Sequence, residues 1–343
     1  MRFLKWLALI IILLFIIYLL GPSPATPVYT TTMPAVPVAP ADLETYIKNN
    51  EALHKLKKDN EARIIWANDS IKQKTEYSIV YLHGFSASQE EGEPIHRTIA
   101  KEFGCNLYLS RLAEHGIDTT EPMMNLTAGE YWESAKQALA IAKQLGNKVI
   151  LMGCSTGGTN ALQLAATYPN DIAALVLMSP NIAINNDKAY LLNNHWGFQL
   201  AKMITGDDHV TSSDDRDIFK QYWYYHYPLQ PAVQLQELLE TTMTKETFGK
   251  VKQPLLLLYY YKDAVHQDSV VSVPAMLQMF NELGSATKIK QVLPNTGDHV
   301  IGSFIKSRDL RSVQFAIENF MQQTLQMHKV YSIVINDSIQ LRH

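Results

Sequence analysis

A mainly parallel β-sheet with helices on both faces and an inserted cap is what this sequence predicts, on three observations. From about residue 62 onward, short runs rich in Leu, Ile and Val alternate with segments of helical periodicity. Several of the runs, such as Ala174-Leu175-Val176-Leu177-Met178, are apolar throughout, as strands buried on both faces are. The alternation breaks once, between about 181 and 250, and a connection of roughly seventy residues is too long for an ordinary loop.

The 343 residues open with an apolar stretch, 1–20, whose only charges are Arg2 and Lys5. Trp6 to Leu20 reaches about 22 Å as a helix, and Phe3 and Leu4 extend it to about 27 Å if Lys5 snorkels, close to the roughly 30 Å of a bilayer core. The stretch reads as an uncleaved transmembrane anchor or as a signal peptide, for which Ser23-Pro24-Ala25 offers a small-x-small cleavage pattern. The charge placement keeps the N-terminus inside and sends the rest across the membrane. The domain is therefore expected outside the cytoplasm, either membrane-anchored or released as a secreted or periplasmic protein. Residues 21–40 carry six of the fifteen prolines and read as an extended spacer, or else as an arm lying on the domain surface. Residues 41–343 are assigned to one domain.

The elements follow in order. Ile64-Ile65-Trp66 and Ser78 to Leu82 are strands, a helix spans about 94–103, and Asn106 to Leu109 is a strand. Thr127 caps a helix to Leu145, with Glu130 at the capping-box position and Gly146 closing it. Lys148 to Met152 is a strand, and a helix of about 157–167 stops before Pro169. The strand 174–178 precedes the cap, which holds the cluster Tyr222 to Pro228 and a helix near 231–242. Leu255 to Tyr260 is a strand, followed by a helix at 273–283, a strand at 287–293 and an amphipathic helix at 311–323. Lys329 to Gln340 contains a strand-like run without a functional reading.

Thirty basic and thirty-three acidic residues give a net charge of −3, which offers no footprint for nucleic acid. Two cysteines, Cys105 and Cys154, cannot form a disulfide framework and are expected as free thiols. No phosphate loop and no His/Cys spacing for zinc occur, so neither cofactor nor metal is expected.

Chemistry concentrates in Gly153-Cys154-Ser155-Thr156-Gly157, a G-x-S-x-G string between a strand and a helix, the context of a nucleophile elbow. Glycines relieve crowding where the strand turns sharply, and the turn lifts the Ser155 hydroxyl above the sheet. The Thr156 N–H is placed to hold an oxyanion, and the Phe85 N–H in His83-Gly84-Phe85 is the second candidate donor. His83 and His115 are read as loop braces, and Cys154 as strand-end packing. A serine needs a base, and the base an orienting acid, in the chain order Ser, Asp or Glu, His. Asp263 at a strand end and His299 after the next strand fill those places. Asp268 is the runner-up, set second because it falls in or before the following helix.

Together these residues resemble the α/β-hydrolase superfamily, and within it the group of monoacylglycerol lipases, carboxylesterases and serine aminopeptidase-like enzymes. The similarity rests on His83-Gly84-Phe85, Leu112-Ala113-Glu114-His115-Gly116, the Ser155 elbow, Asp263 with Val265, and His299, over roughly residues 60–325. It implies the α/β-hydrolase fold and an acyl-enzyme on Ser155 that cleaves carboxylic esters of small or medium acyl chains. A serine aminopeptidase or amidase is the alternative, with Asp207, Asp208, Asp214, Asp215 and Asp217 as candidates for holding a substrate amine. A non-catalytic, membrane-tethered interaction protein is a third class. The implied partners are a small ester or amide and a membrane at the N-terminal segment.

Overall fold

A computed structural model describes residues 2–333 and 335. The chain begins with α1 (Arg2–Leu19) and α2 (Pro40–Glu51), then β1 (Arg63–Ile65), β2 (Thr75–Leu82), α3 (Ile95–Glu102) and β3 (Asn106–Leu109). Next come α4 (Ala128–Leu145), β4 (Gly146–Cys154), α5 (Thr156–Thr167) and β5 (Ile172–Met178). Between β5 and the next sheet strand lie α6 (Gly197–Thr205), the hairpin β6 (His209–Thr211) and β7 (His226–Pro228) with α7 (Asp217–Tyr222) between its strands, α8 (Gln230–Thr242) and α9 (Lys245–Lys250). The chain returns to the sheet with β8 (Leu255–Tyr259), α10 (Val273–Glu282), β9 (Lys288–Val292) and α11 (Leu310–Asn319).

The sheet runs β1-β3-β2-β4-β5-β8-β9, and only β1 is antiparallel. Successive side chains of a strand point to opposite faces, and both faces are covered. Val80, Leu82, Leu151, Leu175 and Leu257 join one core, while Ile79, Tyr81, Met152, Val176 and Leu258 join the other. That explains why these strands read as unbroken apolar runs. At about 1.5–3 kcal/mol for each fully buried aliphatic side chain, they are the main driving force of the fold. From β2 the chain steps to β3 on one side, and from β3 it crosses to β4 on the other, so the order reverses between β2 and β4. Ligands of open α/β sheets bind outside the carboxyl ends of strands at such a reversal.

Local signals match closely at α4, where Thr127 and Glu130 form the full capping box. Gly146 differs in its reason. It is extended (φ −146°) and starts β4 directly, so no left-handed cap is made. A side chain there would run into the backbone of Ser78 on β2. The strand-like run expected from Val330 to Ile335 is not a strand at its described residues, 330–333 and 335, and the rest of 330–340 lies outside the described residues.

Residues 22–38 contain neither helix nor strand and lie along α4. Trp132 Nε1 donates to the Thr30 carbonyl at 2.8 Å, and Tyr168 Oη donates to that of Thr31 at 3.0 Å. Lys136, fully buried, reaches Thr30 Oγ1 at 2.5 Å, the Thr32 carbonyl at 3.0 Å and Glu133 at 2.8 Å. Tyr29, Met33 and Val36 pack against the core on this face. Replacing Lys136 by Met keeps the volume and removes the donors that hold the arm. The expected result is a loss of about 1–3 kcal/mol and faster proteolytic cleavage within 24–36, read by limited proteolysis with mass spectrometry.

Candidate active site

The turn after β4 puts Ser155 in a backbone conformation of φ 51° and ψ −122°, one that side chains rarely adopt. It is held from both sides. Ser155 N–H donates to the Met178 carbonyl at 3.1 Å, and its own carbonyl accepts from Asn181 N at 2.9 Å. The elbow closes only because glycines flank it. A Cβ on Gly157 would run into the Leu82 carbonyl, and one on Gly153 would sit 2.6 Å from the Gly157 carbonyl oxygen.

The loop after β2 lies against this turn. A Cβ on Gly84 would fall 2.9 Å from Ser155 Cβ. Two histidines brace the loop. His83 Nδ1–H donates to the Gly84 carbonyl at 2.9 Å while Nε2 accepts from Leu112 N at 3.0 Å. His115 Nε2 accepts from Ser86 N at 3.0 Å while Nδ1–H donates to the Ala113 carbonyl at 2.7 Å. Burial lowers both pKa values, that of His83 to about 4, so both rings are neutral. Among the described residues, the N–H groups of Phe85 and Thr156 make no hydrogen bond within the protein.

His299, in the loop after β9, is bonded through Nδ1 to Asp268 Oδ2 at 2.6 Å. Asp263 does not fill that place. It sits half exposed at the tip of the turn after β8, accepting from Val265 N at 2.9 Å, His266 N at 2.8 Å and the His266 ring at 3.0 Å. The reason lies in the backbone. Lys262 N–H donates to the His266 carbonyl, so the chain turns back on itself, and Asp268 N–H returns to the Tyr260 carbonyl. Five residues further along the sequence, Asp268 is therefore level with the strand end that Asp263 has left behind. Its Oδ1 accepts from Val270 and Val271 N–H at 2.9 and 3.0 Å, which fixes the carboxylate.

Burial alone would raise the Asp268 pKa, but the charge and hydrogen bond of His299, with those two N–H groups, hold it below the usual range. Burial would lower that of His299, and Asp268, Glu91 and Asp298 outweigh it, so the imidazole is raised above its ordinary 6.5. His299 Nε2 is buried and has no protein partner among the described residues.

Ser155, His299, Phe85 and Glu91 line one cavity of about 550 Å³, within the range of small-molecule sites. Its other walls include Ile184, Phe219, Trp223, Tyr227 and Leu235 from the segment between β5 and β8. The aromatic run there is tied to the sheet domain. Tyr222 Oη donates to Asp59 at 3.0 Å, and Tyr224 Oη accepts from Ile117 N at 2.7 Å. None of Asp207, Asp208, Asp214, Asp215 and Asp217 lines the cavity. Asp208 is bonded to Lys202 and His209, and Asp214 to Arg216 and Lys306. The two cysteines are buried and unpaired.

Glu91 is the residue that sequence reasoning missed. It is buried under the β2 loop, where Oε2 accepts from Gly84 N at 2.6 Å and Tyr81 Oη at 3.2 Å. Burial raises its pKa to about 7, against the pull of the Gly84 N–H and the His299 charge. Gln89-Glu90-Glu91-Gly92 forms a single turn of 3-10 helix, and acidic residues in such a turn look solvated in sequence.

The residues 77–205 match the family model for the alpha/beta hydrolase fold. The chain has the α/β-hydrolase fold. It is similar to a thermostable monoacylglycerol lipase of Bacillus sp. (strain H-257), 26% identical over 187 residues that cover 54% of this chain and 70% of the relative. Among solved structures, one reported for the metagenome-derived lipolytic enzymes LipS and LipT superposes with a TM-score of 0.63 at 17% identity, covering 78% of this chain and all of that one. The monoacylglycerol lipase of Paleococcus ferrophilus does so at 0.57 and 16% identity, covering 76% of this chain and 98% of its own.

Glu91 generates a pH dependence. Its folded pKa of about 7 stands above the ordinary 4.5, so folding favours the protonated form. Stability from this group is full below about pH 4.5 and is lost as pH rises toward 7, by about 3 kcal/mol. Glu91→Gln, which keeps an acceptor for Gly84, is expected to flatten that decline in urea unfolding between pH 4.5 and 7.5 relative to wild type. An unchanged slope would show that Glu91 is not the titrating group.

Proposed function

We propose that the chain is a serine hydrolase of uncharged carboxylic esters. Ser155 is the nucleophile, His299 the base, Asp268 the acid that orients it, and Phe85 and Thr156 N–H the oxyanion donors. The observation that carries the reading is the Asp268–His299 pair. Asp268 engages Nδ1 and so leaves Nε2, which has no protein partner among the described residues, as the nitrogen available to a serine hydroxyl, and His299 lines the same cavity as Ser155. In the proposed reaction His299 Nε2 takes the Ser155 proton as Oγ attacks the acyl carbonyl. The tetrahedral oxyanion collapses, the alcohol leaves with the proton from His299, and water repeats the sequence to release the acid. Each oxyanion donor is worth about 10²–10³ in rate.

An ester of small or medium acyl chain suits a cavity walled by Phe85, Phe219, Trp223, Tyr227 and Leu235, and the similarity to monoacylglycerol lipases supports it. The amine-holding carboxylates that an aminopeptidase would need are not supplied by the five cap aspartates, which lie outside the cavity. α1 is exposed along its length, with a mean hydropathy of 2.3, and is long and apolar enough to cross a membrane. We read it as an anchor that places the domain on the far side from Arg2 and Lys5.

A fluorophosphonate probe is expected to label the wild type and not Ser155→Ala, and p-nitrophenyl esters are expected to turn over faster than aminoacyl amides. Labelling that survives Ser155→Ala sinks the nucleophile, and faster amide turnover favours a peptidase. Asp268→Asn is expected to lower kcat by about 10³–10⁴ and to move the acidic limb of kcat/KM to lower pH, because the partner that raises His299 is gone. Asp263→Asn is expected to leave both nearly unchanged, and the opposite ranking would restore Asp263.

A further inference from the structure

The last turn of α1 is bonded to the segment that leads into α6. An α-helix leaves its final four carbonyls without partners, and in hydrocarbon each such group is costly. Here Ile16 and Tyr18 carbonyls accept from Leu20 and Gly21 N–H, and the Ile17 carbonyl accepts from Trp196 Nε1 at 3.0 Å. Trp196 N–H donates to the Pro22 carbonyl at 2.8 Å, and His195 Nδ1 meets the Gly21 carbonyl at 2.8 Å. The His195 ring also stands edge-on to Tyr18 at 5.4 Å. Gly21 has to lack a side chain, because a Cβ there would overlap the Trp196 indole.

Directly after this junction, α6 exposes Leu200, Met203 and Ile204, at 37%, 73% and 66% of their surface. Their spacing of three and four places them on one stripe. Leu200 and Ile204 also line an apolar groove of about 230 Å³ that is shared with Leu191, Leu192 and Leu229. Ile184 belongs both to this groove and to the cavity of Ser155.

We propose that the α6 stripe is a bilayer-contact surface, held at the headgroup–acyl boundary by the His195–Trp196 junction with α1. The occupant is the lipid leaflet from which α1 emerges. Ile17 lies inside the apolar run, so the group bonded to it sits at the level where that run meets the interface, and indole rings favour that level. An amphipathic helix starting there buries its apolar face by about 5–10 Å. The groove that begins at the stripe and reaches Ile184 then gives a membrane-dissolved acyl chain a route toward Ser155. This rests on reading α1 as an anchor.

The test uses the full chain in phosphatidylcholine nanodiscs, with an environment-sensitive fluorophore on Met203→Cys, Leu13→Cys or Ile289→Cys and a quencher attached to the lipid acyl chain. The native cysteines are buried and stay unlabelled. Ile289 lies near the start of β9, at the sheet edge opposite the candidate site. Probes at 203 and 13 are expected to lose more than about half of their emission, and the probe at 289 is expected to keep it. Quenching at 13 without quenching at 203 overturns the inference alone, and it points to a second copy if the 203 probe is nevertheless blue-shifted. No quenching at 13 overturns the anchor reading and the inference with it. Gly21→Leu, which displaces Trp196, is expected to cut quenching at 203 at least by half while sparing 13, and no change would remove the junction from the proposal.

Discussion

The site depends on how closely the ends of β2 and β4 approach. Leu82 pairs with Gly153 at the last register position of the two strands, and beyond it three backbones occupy space that side chains would take. Gly157 lies against the Leu82 carbonyl, Gly153 against Gly157, and Gly84 between Ser155 and Glu91. A methyl group at Gly157 or Gly84 would force the β2 loop away from the elbow, and one at Gly153 would open the elbow itself. The Phe85 N–H would then shift relative to Ser155, and Glu91 would lose its bond to Gly84. The strained backbone of Ser155 is kept by the same contacts and by the β5 end, where Met178 and Asn181 take its N–H and carbonyl.

The second constraint is electrostatic. Two carboxyls, Glu91 and Asp268, are buried beside one imidazole, and their surroundings separate them. Asp268 has His299 and two backbone N–H groups directed at it and stays ionised. Glu91 has one N–H, one phenol, the Cys154 thiol and a more distant share of the His299 charge, which do not offset its burial, and its pKa is raised to about 7. Environments that push paired groups apart are how one site holds an ionised and a protonatable acid together. Since Glu91 also contributes to raising His299, its protonation and the basicity of that imidazole are linked.

Most of the framework was legible because it obeys local rules. The two-sided strands, the Thr127 capping box and the glycine elbow each announce themselves within a few residues. The places of Ser155 and His299 on one cavity follow from strand ends alone. The carboxylate that meets His299 did not, because choosing between Asp263 and Asp268 depends on whether the chain after β8 turns back. That turn is made by backbone bonds, Lys262 to His266 and Asp268 to Tyr260, at residues of no distinctive type. Two valines after Asp268, whose N–H groups its carboxylate accepts, were the faint sign of a fixed side chain. Glu91 was hidden for a different reason, since its burial is produced by long-range packing of a single 3-10 turn against β2.

The cap divides into two halves with different attachments. Its aromatic half is fastened to the domain body, with Lys57 Nζ on the Trp223 carbonyl at 2.8 Å, Tyr224 on Ile117 and Tyr222 on Asp59, and it supplies the fixed wall of the cavity. The α6 half buries only Gly197 within the helix, and the segment leading into it is bonded to Ile17 of α1 and to Gly21 and Pro22 just after it. A surface with few buried contacts opens at low cost. Movement of α6 would therefore change access at Ile184 while leaving undisturbed the Asp268–His299 pair and Phe85, whose ring stands edge-on to Tyr227 with centroids 5.7 Å apart. On the proposed reading, entry past α6 and the chemistry at Ser155 fall to different parts of the fold, which share Ile184.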